Sequence, residues 1–274
     1  MPELPEVETI KRDLAKHISG ASIEKVSVID PRVIRNHSPK ILIDQCSGRT
    51  IARVSRRGKA LIVSFSQQGH LVIQPMMTGQ LVLLNEPAAK PPRKETKIIF
   101  KLSNGRCLIY NDQRLFGRVQ YVGSLRESKF LTALGAEPLS EKFNCRWLRQ
   151  GLSTRKGKIK PALMDQRFIA GIGNIYASEI LFCSGIHPQR RADTLRQKEI
   201  AVLHKATVQI LRKAIRFRGT SIRDYRDGSG QRGEFIGHLK VYGREKQRCS
   251  RCDAKIRRVV QSGRSTFYCP TCQR

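Results

Sequence analysis

Apolar residues fall first at helical spacing and then in short alternating runs. Val7, Ile10, Leu14 and Ile18 recur three and four residues apart. This predicts an amphipathic helix over 5–19, with Pro5 to start it and Gly20 to end it. From 22 to about 122 the period shortens. Strands are predicted at Ser22–Ile29, Thr50–Val54, Lys59–Phe65, Leu71–Gln74, Gln80–Leu84, Thr96–Leu102, Arg106–Tyr110 and Arg118–Val122. Asn104-Gly105 is a hairpin signal between two of them, and many short strands at this spacing predict a β-sandwich. Glu86–Lys94 carries three prolines and reads as a surface loop.

After 123 the pattern becomes helical. Residues 123–157 read as a hinge region that includes the turn-rich stretch Leu134–Ser140, and helices are predicted at 141–151, 160–169, 174–184 and 194–217. Thr194 with Gln197 resembles a capping box for the last of these. Residues 219–237 hold five glycines among polar residues, as loops that act as lids often do. The chain then reaches Cys249-Ser-Arg-Cys252 and, sixteen residues on, Cys269-Pro-Thr-Cys272. Two C-x2-C pairs at this separation fit one tetrahedral four-cysteine zinc site with no open position, hence a structural one. Between the pairs, Lys255–Val260 and Ser265–Tyr268 read as two strands with Arg264 at their tip. The fold class is thus α+β and multidomain: an N-terminal sandwich, a helical half and a terminal zinc-ribbon hairpin, divided at 1–130, 131–240 and 241–274.

Charge narrows the partner. Of 274 residues, 52 are Lys or Arg and 22 are Asp or Glu, a net charge of +30 spread along the whole length. This predicts a polyanion bound across both halves, nucleic acid first, with ribosomal RNA or an anionic membrane surface as alternatives. No run of about 18 apolar residues predicts a membrane span, and the N-terminus lacks the apolar core of a signal peptide. Four cysteines stand singly (Cys46, Cys107, Cys145, Cys183), which fits a reducing compartment.

The candidate chemistry lies at the start. Met1-Pro-Glu-Leu-Pro-Glu-Val-Glu8 sets three carboxylates beside a proline. If Met1 is removed, Pro2 becomes a free secondary amine, and an α-amino group has a pKa of about 7.7–8.0 against about 10.4 for lysine. Such an amine can attack an aldehyde-level carbon and form an iminium, an electron sink, with Glu3 alongside to exchange protons. A start codon followed by a helix with acids in its first turn explains the same residues. Arg53-Val-Ser-Arg-Arg-Gly-Lys59 is either a solvated turn or a phosphate contact. Ala170-Gly-Ile-Gly-Asn174 is either a glycine turn or a helix start where backbone N–H groups meet a phosphate. Gln74–Gly79 and Asp112–Arg118 place Met, Leu and Phe in turns, as core anchors or as wedges for a base stack.

Taken together, these segments resemble the formamidopyrimidine-DNA glycosylase family of bacterial base-excision repair. The likeness runs through Pro2–Glu8, Lys59, Leu134–Ser140, Ile159–Asp165, Gly171–Glu179, Gly185–Pro188, Val241–Gly243 and the finger ending Arg264–Cys269. It covers essentially the whole chain and is nearer the main branch than the endonuclease VIII branch. It implies a sandwich domain and a helix-two-turns-helix domain with DNA in a cleft between them.

The resemblance also implies a bifunctional glycosylase and abasic-site lyase. It would remove oxidised purines such as 8-oxoguanine and formamidopyrimidines, then cut by β,δ-elimination through a Schiff base on Pro2. Glu3 would move protons, Glu6 would line the pocket, Lys59 would assist β-elimination and Arg264 δ-elimination. Asn174 and Arg264 would hold phosphate, and Arg155 and Lys160 would face the DNA. Tyr242 joins the DNA-binding set, the 219–237 loop would cover the flipped base, and Met77, Arg114 and Phe116 would fill the vacated stack. The expected partner is double-stranded DNA with oxidised bases or abasic sites. The expected protein is a cytoplasmic, nucleoid-associated monomer holding one Zn2+ and bound to no membrane. Two other readings share many of these features: an oxidised-pyrimidine glycosylase and a non-catalytic damaged-DNA-binding zinc protein. The chain departs from the family pattern at Gln74-Pro75-Met76-Met77, at Leu115 in place of a cation, and at Glu95, all in segments that touch DNA engagement rather than the amine.

Overall fold

The computed structural model describes residues 1–85, 93–222 and 225–274. The expected surface loop at 86–94 therefore lies mostly outside the described residues, as do two positions of the 219–237 loop. The chain forms two compact units, one of 1–132 with 217–236 and one of 133–216 with 237–274.

The first unit begins with helix α1, Leu4–Ile18. Eight strands follow: β1 (Ile23–Val28), β2 (Ile51–Arg57), β3 (Ala60–Phe65), β4 (His70–Gln74), β5 (Gln80–Leu84), β6 (Thr96–Leu102), β7 (Cys107–Asn111) and β8 (Arg118–Val122). They form two four-stranded antiparallel sheets, ordered β1-β6-β7-β5 and β2-β3-β4-β8. One core joins them: Leu61, Val63, Leu71 and Ile73 from one sheet, Ile98, Phe100, Leu108 and Tyr110 from the other, and Val7, Ile10, Leu14 and Ile18 from α1. Full burial of each such aliphatic side chain is worth about 2 kcal/mol, so α1 is fixed to the sandwich along its length.

A short helix, α2 (Pro39–Cys46), lies where no helix is predicted, and α3 (Lys129–Thr132) closes this part of the chain. Ser38 caps α2 and Pro39 fills its first turn, but only Leu42 and Cys46 are buried, too few to show a helical period.

The second unit holds α4 (Cys145–Ser153), α5 (Ile159–Met164), α6 (Asn174–Ser184), α7 (Gln197–Arg216) and the hairpin β9 (Arg257–Gln261) with β10 (Arg264–Tyr268). Three helix starts or ends differ from the periodic pattern, each for a side-chain reason. α4 starts at Cys145 because Asn144 accepts from the Trp147 N–H. α5 stops at Met164 because Gln166 turns the chain: its Nε2 donates to the Met164 and Ile172 carbonyls, and its Oε1 accepts from Gly171 N–H. Thr194 does not cap α7. Its hydroxyl donates to the Arg191 carbonyl, and Glu199 reaches back to the Arg196 N–H instead.

α6 is buried along most of its length. Its Glu179 carboxylate accepts backbone N–H bonds from Lys240, Val241 and Tyr242 at 2.8–3.0 Å. Burial pushes this carboxyl up from the ordinary glutamate range, opposed by the three N–H groups. The terminal hairpin belongs to this unit through a core of Phe182, Val241, Cys249, Ile256 and Cys269.

Glu179→Ala leaves three backbone N–H donors without this acceptor, that of Val241 buried. A loss of about 3 kcal/mol or more is expected, measured as a lower midpoint in thermal or urea unfolding, with the circular dichroism of the folded baseline retained.

Candidate active site and zinc module

Pro2 is buried and Met1 exposed, so the Pro2 nitrogen, an amide while Met1 is attached, sits at the head of α1 under a single residue. Glu3 is the N-cap of α1 and forms a capping box with Glu6, each carboxylate accepting the other's backbone N–H. The Glu3 N–H bond to Glu6 Oε2 is 2.7 Å. The other Glu6 oxygen accepts the Thr220 N–H at 2.8 Å. The segment expected to form part of the helical half thus lies with the first unit. Gly219 has φ +81°, and a Cβ there would stand 2.7 Å from Glu6 Oε1. Only glycine suits both the backbone and the approach. Tyr225 closes the same corner: its hydroxyl donates to the Arg218 carbonyl at 3.1 Å and its ring joins the sandwich core.

Lys59 is half-buried in the turn between β2 and β3, where Arg57 pairs with Ala60. Gly58 takes φ +56° at the first of the two turn positions, the sign that mirror-type hairpin turns require there. Arg56 ties this hairpin to α1, donating to Glu8 at 3.2 Å and to the Gly58 carbonyl at 3.0 Å. Burial raises the Glu8 carboxyl, but Arg12, Lys11 and Arg56 outweigh it and hold the group below its ordinary range.

The two turns rich in apolar residues are stitched together by Asp112, which is fully buried. It accepts from the Gly117 N–H at 2.7 Å, the Arg114 N–H at 3.2 Å and the Thr78 hydroxyl. Met77 and Phe116 project from this platform, 42% and 47% exposed. The Arg114 guanidinium lies 4.7 Å from the centre of the Phe116 ring. Leu115, where the family pattern has a cation, turns inward against the sandwich core from a left-handed backbone, φ +58°.

In the second unit, Lys160 is 1% exposed and does not present its charge at the surface. Its ammonium donates to Asn174 Oδ1 at 2.6 Å, to Thr266 Oγ1 at 2.7 Å and to the Ser265 carbonyl at 3.1 Å. Asn174, first residue of α6, also donates to the Ser265 carbonyl at 2.9 Å. The glycine turn and the start of β10 are therefore one structure, with Arg264 exposed next to it. Arg155 lies 3.9 Å above the Phe168 ring and donates to the Gly151 carbonyl at 2.7 Å, so packing already engages it. Tyr242 meets the Phe267 ring edge-on at 5.1 Å.

The four ligand sulfurs of Cys249, Cys252, Cys269 and Cys272 lie within 4.8 Å of one another. The separations Cys252–Cys272, Cys252–Cys269 and Cys249–Cys272 are 3.3, 3.4 and 3.9 Å. A tetrahedral zinc with bonds of about 2.3 Å spaces its sulfurs by roughly 3.8 Å, so the group can hold one zinc ion. Backbone N–H groups of Arg251 and Cys272 point at the sulfurs of Cys249 and Cys269, both at 3.4 Å, as thiolate ligands require. Arg251 also donates to the Phe182 carbonyl at 2.9 Å and stacks on the Phe182 ring, joining the cysteine knuckle to the end of α6.

Sequence reasoning missed Asp13, Asp227, Glu179 and Arg251. Arg251 and Glu179 lie within motif segments but carry no motif role, and each of the four acts through backbone groups or through residues distant in the chain.

A sandwich headed by a proline-first helix, together with a helical unit that ends in a four-cysteine finger, defines the class of helix-two-turns-helix DNA glycosylases. Three family models match in order. They are the formamidopyrimidine-DNA glycosylase N-terminal domain over residues 1–119, the formamidopyrimidine-DNA glycosylase H2TH domain over 134–226, and the zinc finger found in FPG and IleRS over 246–274. The formamidopyrimidine-DNA glycosylase of Pelotomaculum thermopropionicum is 44% identical over 276 residues, covering 100% of this chain and 99% of that protein. The Lactococcus lactis Fpg in complex with an abasic site containing DNA superposes with TM-score 0.92 at 35% identity, covering 99% of each chain. A variant of the same enzyme with a Fapy-dG containing DNA gives TM-score 0.92 at 36% identity, covering 100% of each. The chain belongs to the formamidopyrimidine-DNA glycosylase family, enzymes of base-excision repair. Among the described residues, no helix is long and apolar enough to cross a membrane.

Cys252→Ser is expected to lower bound zinc from one per chain toward none, measured by elemental analysis. Chelation of the unsubstituted protein should unfold the hairpin, since metal binding and folding are coupled in such modules. Full retention of the hairpin's amide protection after chelation would contradict this.

Proposed function

We propose that this chain excises an oxidised purine, 8-oxoguanine or a formamidopyrimidine, from double-stranded DNA and cleaves the resulting abasic site by β,δ-elimination through Pro2. The observation that carries the reading is the head of α1, where Pro2 stands next to a carboxylate, Glu3, whose backbone is locked by Glu6. The Lactococcus lactis relative is bound to abasic-site and Fapy-dG containing DNA, which supports the same substrate class here.

Once Met1 is removed, the Pro2 lone pair forms the N–C1′ bond as the bond from C1′ to the base breaks; the base leaves with that electron pair and gains a proton, and the Pro2 nitrogen gives up its own proton and so regains the lone pair that forms the iminium. The C1′–O4′ bond then opens, O4′ is protonated through Glu3, and an iminium remains. It acidifies C2′, whose proton is lost as the 3′ phosphate departs. Loss of the C4′ proton then expels the 5′ phosphate. Lys59 is assigned to the first elimination and Arg264 to the second. Asn174 with Arg264 hold phosphate, and Met77, Arg114 and Phe116 occupy the gap left by the flipped nucleotide. Thr220, at the start of the 219–237 loop, donates to Glu6, which supports the assignment of that loop as the cover over the base. On this reading the protein works in the cytoplasm, at the nucleoid.

Borohydride should trap a covalent adduct between protein lacking Met1 and an abasic-site oligonucleotide; absence of any adduct would sink the proposal. Pro2→Gly should weaken trapping, and Glu3→Gln should slow base release on the order of 100-fold. Binding should fall steeply with salt as neutralised phosphates release counterions. Release of only oxidised pyrimidines from a lesion panel would replace the purine assignment.

A further inference from the structure

Arg218 is the second residue after α7, and its backbone is left-handed, φ +57°. This is a conformation that a residue with a Cβ keeps only where its surroundings enforce it. Its guanidinium donates from Nε and Nη2 to Asp227 Oδ2 at 2.9 and 2.6 Å, and from Nη2 to Asp13 Oδ2 at 2.6 Å. Asp227 is fully buried, and its other oxygen accepts the Ser229 and Gln231 N–H groups. Asp13 also accepts the Gly228 N–H at 3.1 Å, and the Gly228 carbonyl accepts from Leu83 N–H on the edge strand β5.

We propose that Arg218 is a positioning residue for base release, its Asp13–Arg218–Asp227 clamp fixing the neck of the 217–236 loop on α1 so that the Thr220 N–H stays on Glu6. The inference rests on the proposed function for what the loop does, but not for the clamp itself. Glu6 and Asp13 are seven residues apart, nearly two helical turns, so both face the loop from one side of α1. Glu6 holds Thr220 and Asp13 holds Arg218 and Gly228, two attachments to α1 that add to the Tyr225 ring in the sandwich core. The neck is closed behind them by the Glu234 N–H to the Phe217 carbonyl and the Phe235 N–H to the Gly219 carbonyl, each 2.9 Å. The forked guanidinium serves two carboxylates at once, which a lysine ammonium does with poorer geometry.

Base release needs the loop over the base, whereas elimination at an existing abasic site has no base to cover. The two activities therefore report on the clamp differently. Arg218→Gly is the informative variant, since glycine keeps the positive φ without strain while removing the side chain, and Asp13→Asn, which leaves the backbone as it is, controls for glycine's added freedom. Single-turnover release from an 8-oxoguanine duplex should fall roughly tenfold or more, the scale of a small misplacement. Borohydride trapping on a preformed abasic duplex should stay within about twofold, and amide exchange in a 217–222 peptide should rise with the melting temperature little changed. Arg218→Lys should restore part of the lost base release, and Asp13→Asn should act in the same direction as Arg218→Gly. Equal losses in both activities, or unchanged exchange at 217–222, would overturn the assignment. If the unsubstituted protein releases no base from any duplex, it is the proposed function that fails, and the exchange measurement decides the clamp alone.

Discussion

The Glu6 carboxylate is the interaction on which the head of α1 and the Thr220 segment both depend. It is 1% exposed, and a carboxylate that deep must have its oxygens satisfied. One oxygen takes the Glu3 N–H and the other the Thr220 N–H. The first bond orients the residue next to the Pro2 amine, and the second brings a segment from more than two hundred residues later against the same helix. Charge-assisted bonds to backbone are stronger than neutral ones and leave little angular freedom. The head of α1 and the neck of the loop are therefore fixed by one group, and Gly219 is required because its neighbour must come that close.

The same device recurs at three further buried carboxylates. Asp112 gathers the Arg114 and Gly117 N–H groups, Asp227 those of Ser229 and Gln231, and Glu179 those of Lys240, Val241 and Tyr242. In a chain of net charge +30 this division of labour has a physical reason. Cations set out for a polyanion repel one another and cannot organise their own loops. A buried carboxylate accepting from neutral backbone groups fixes those loops without placing negative charge on the surface that must attract phosphate.

What was legible in the sequence follows the same line. The strands, α1, α6 and the cysteine finger were readable because their signals are local: alternation, a three-four period, a C-x2-C repeat. The ends of α4, α5 and α7 were not, because Asn144, Gln166 and Glu199 decide them through side-chain bonds that compete with the apolar period. The Pro2–Glu3–Glu6 group was readable as a motif. Its partner Thr220 was not, since nothing in a polar, glycine-rich stretch shows which N–H will meet which acid. Arg218 was hidden twice, as one basic residue among 52 and as a residue in a backbone conformation usually left to glycine.

Lys160 shows why charge alone is a poor guide to a site. In the sequence it is one more cation near a glycine turn, and the resemblance sets it facing DNA. In the fold its ammonium is enclosed, with Asn174 Oδ1, Thr266 Oγ1 and the Ser265 carbonyl as acceptors. An ammonium has three N–H donors and no acceptor, so these three oxygens satisfy it. The charge is not lost by burial. It stands behind the first residue of α6, where the helix dipole already favours an anion, and it holds Asn174 and the start of β10 in fixed register. A surface lysine in its place would contribute a screened charge on a flexible stem. The buried one adds its field to the start of α6 and keeps Asn174 and the start of β10 ordered in advance.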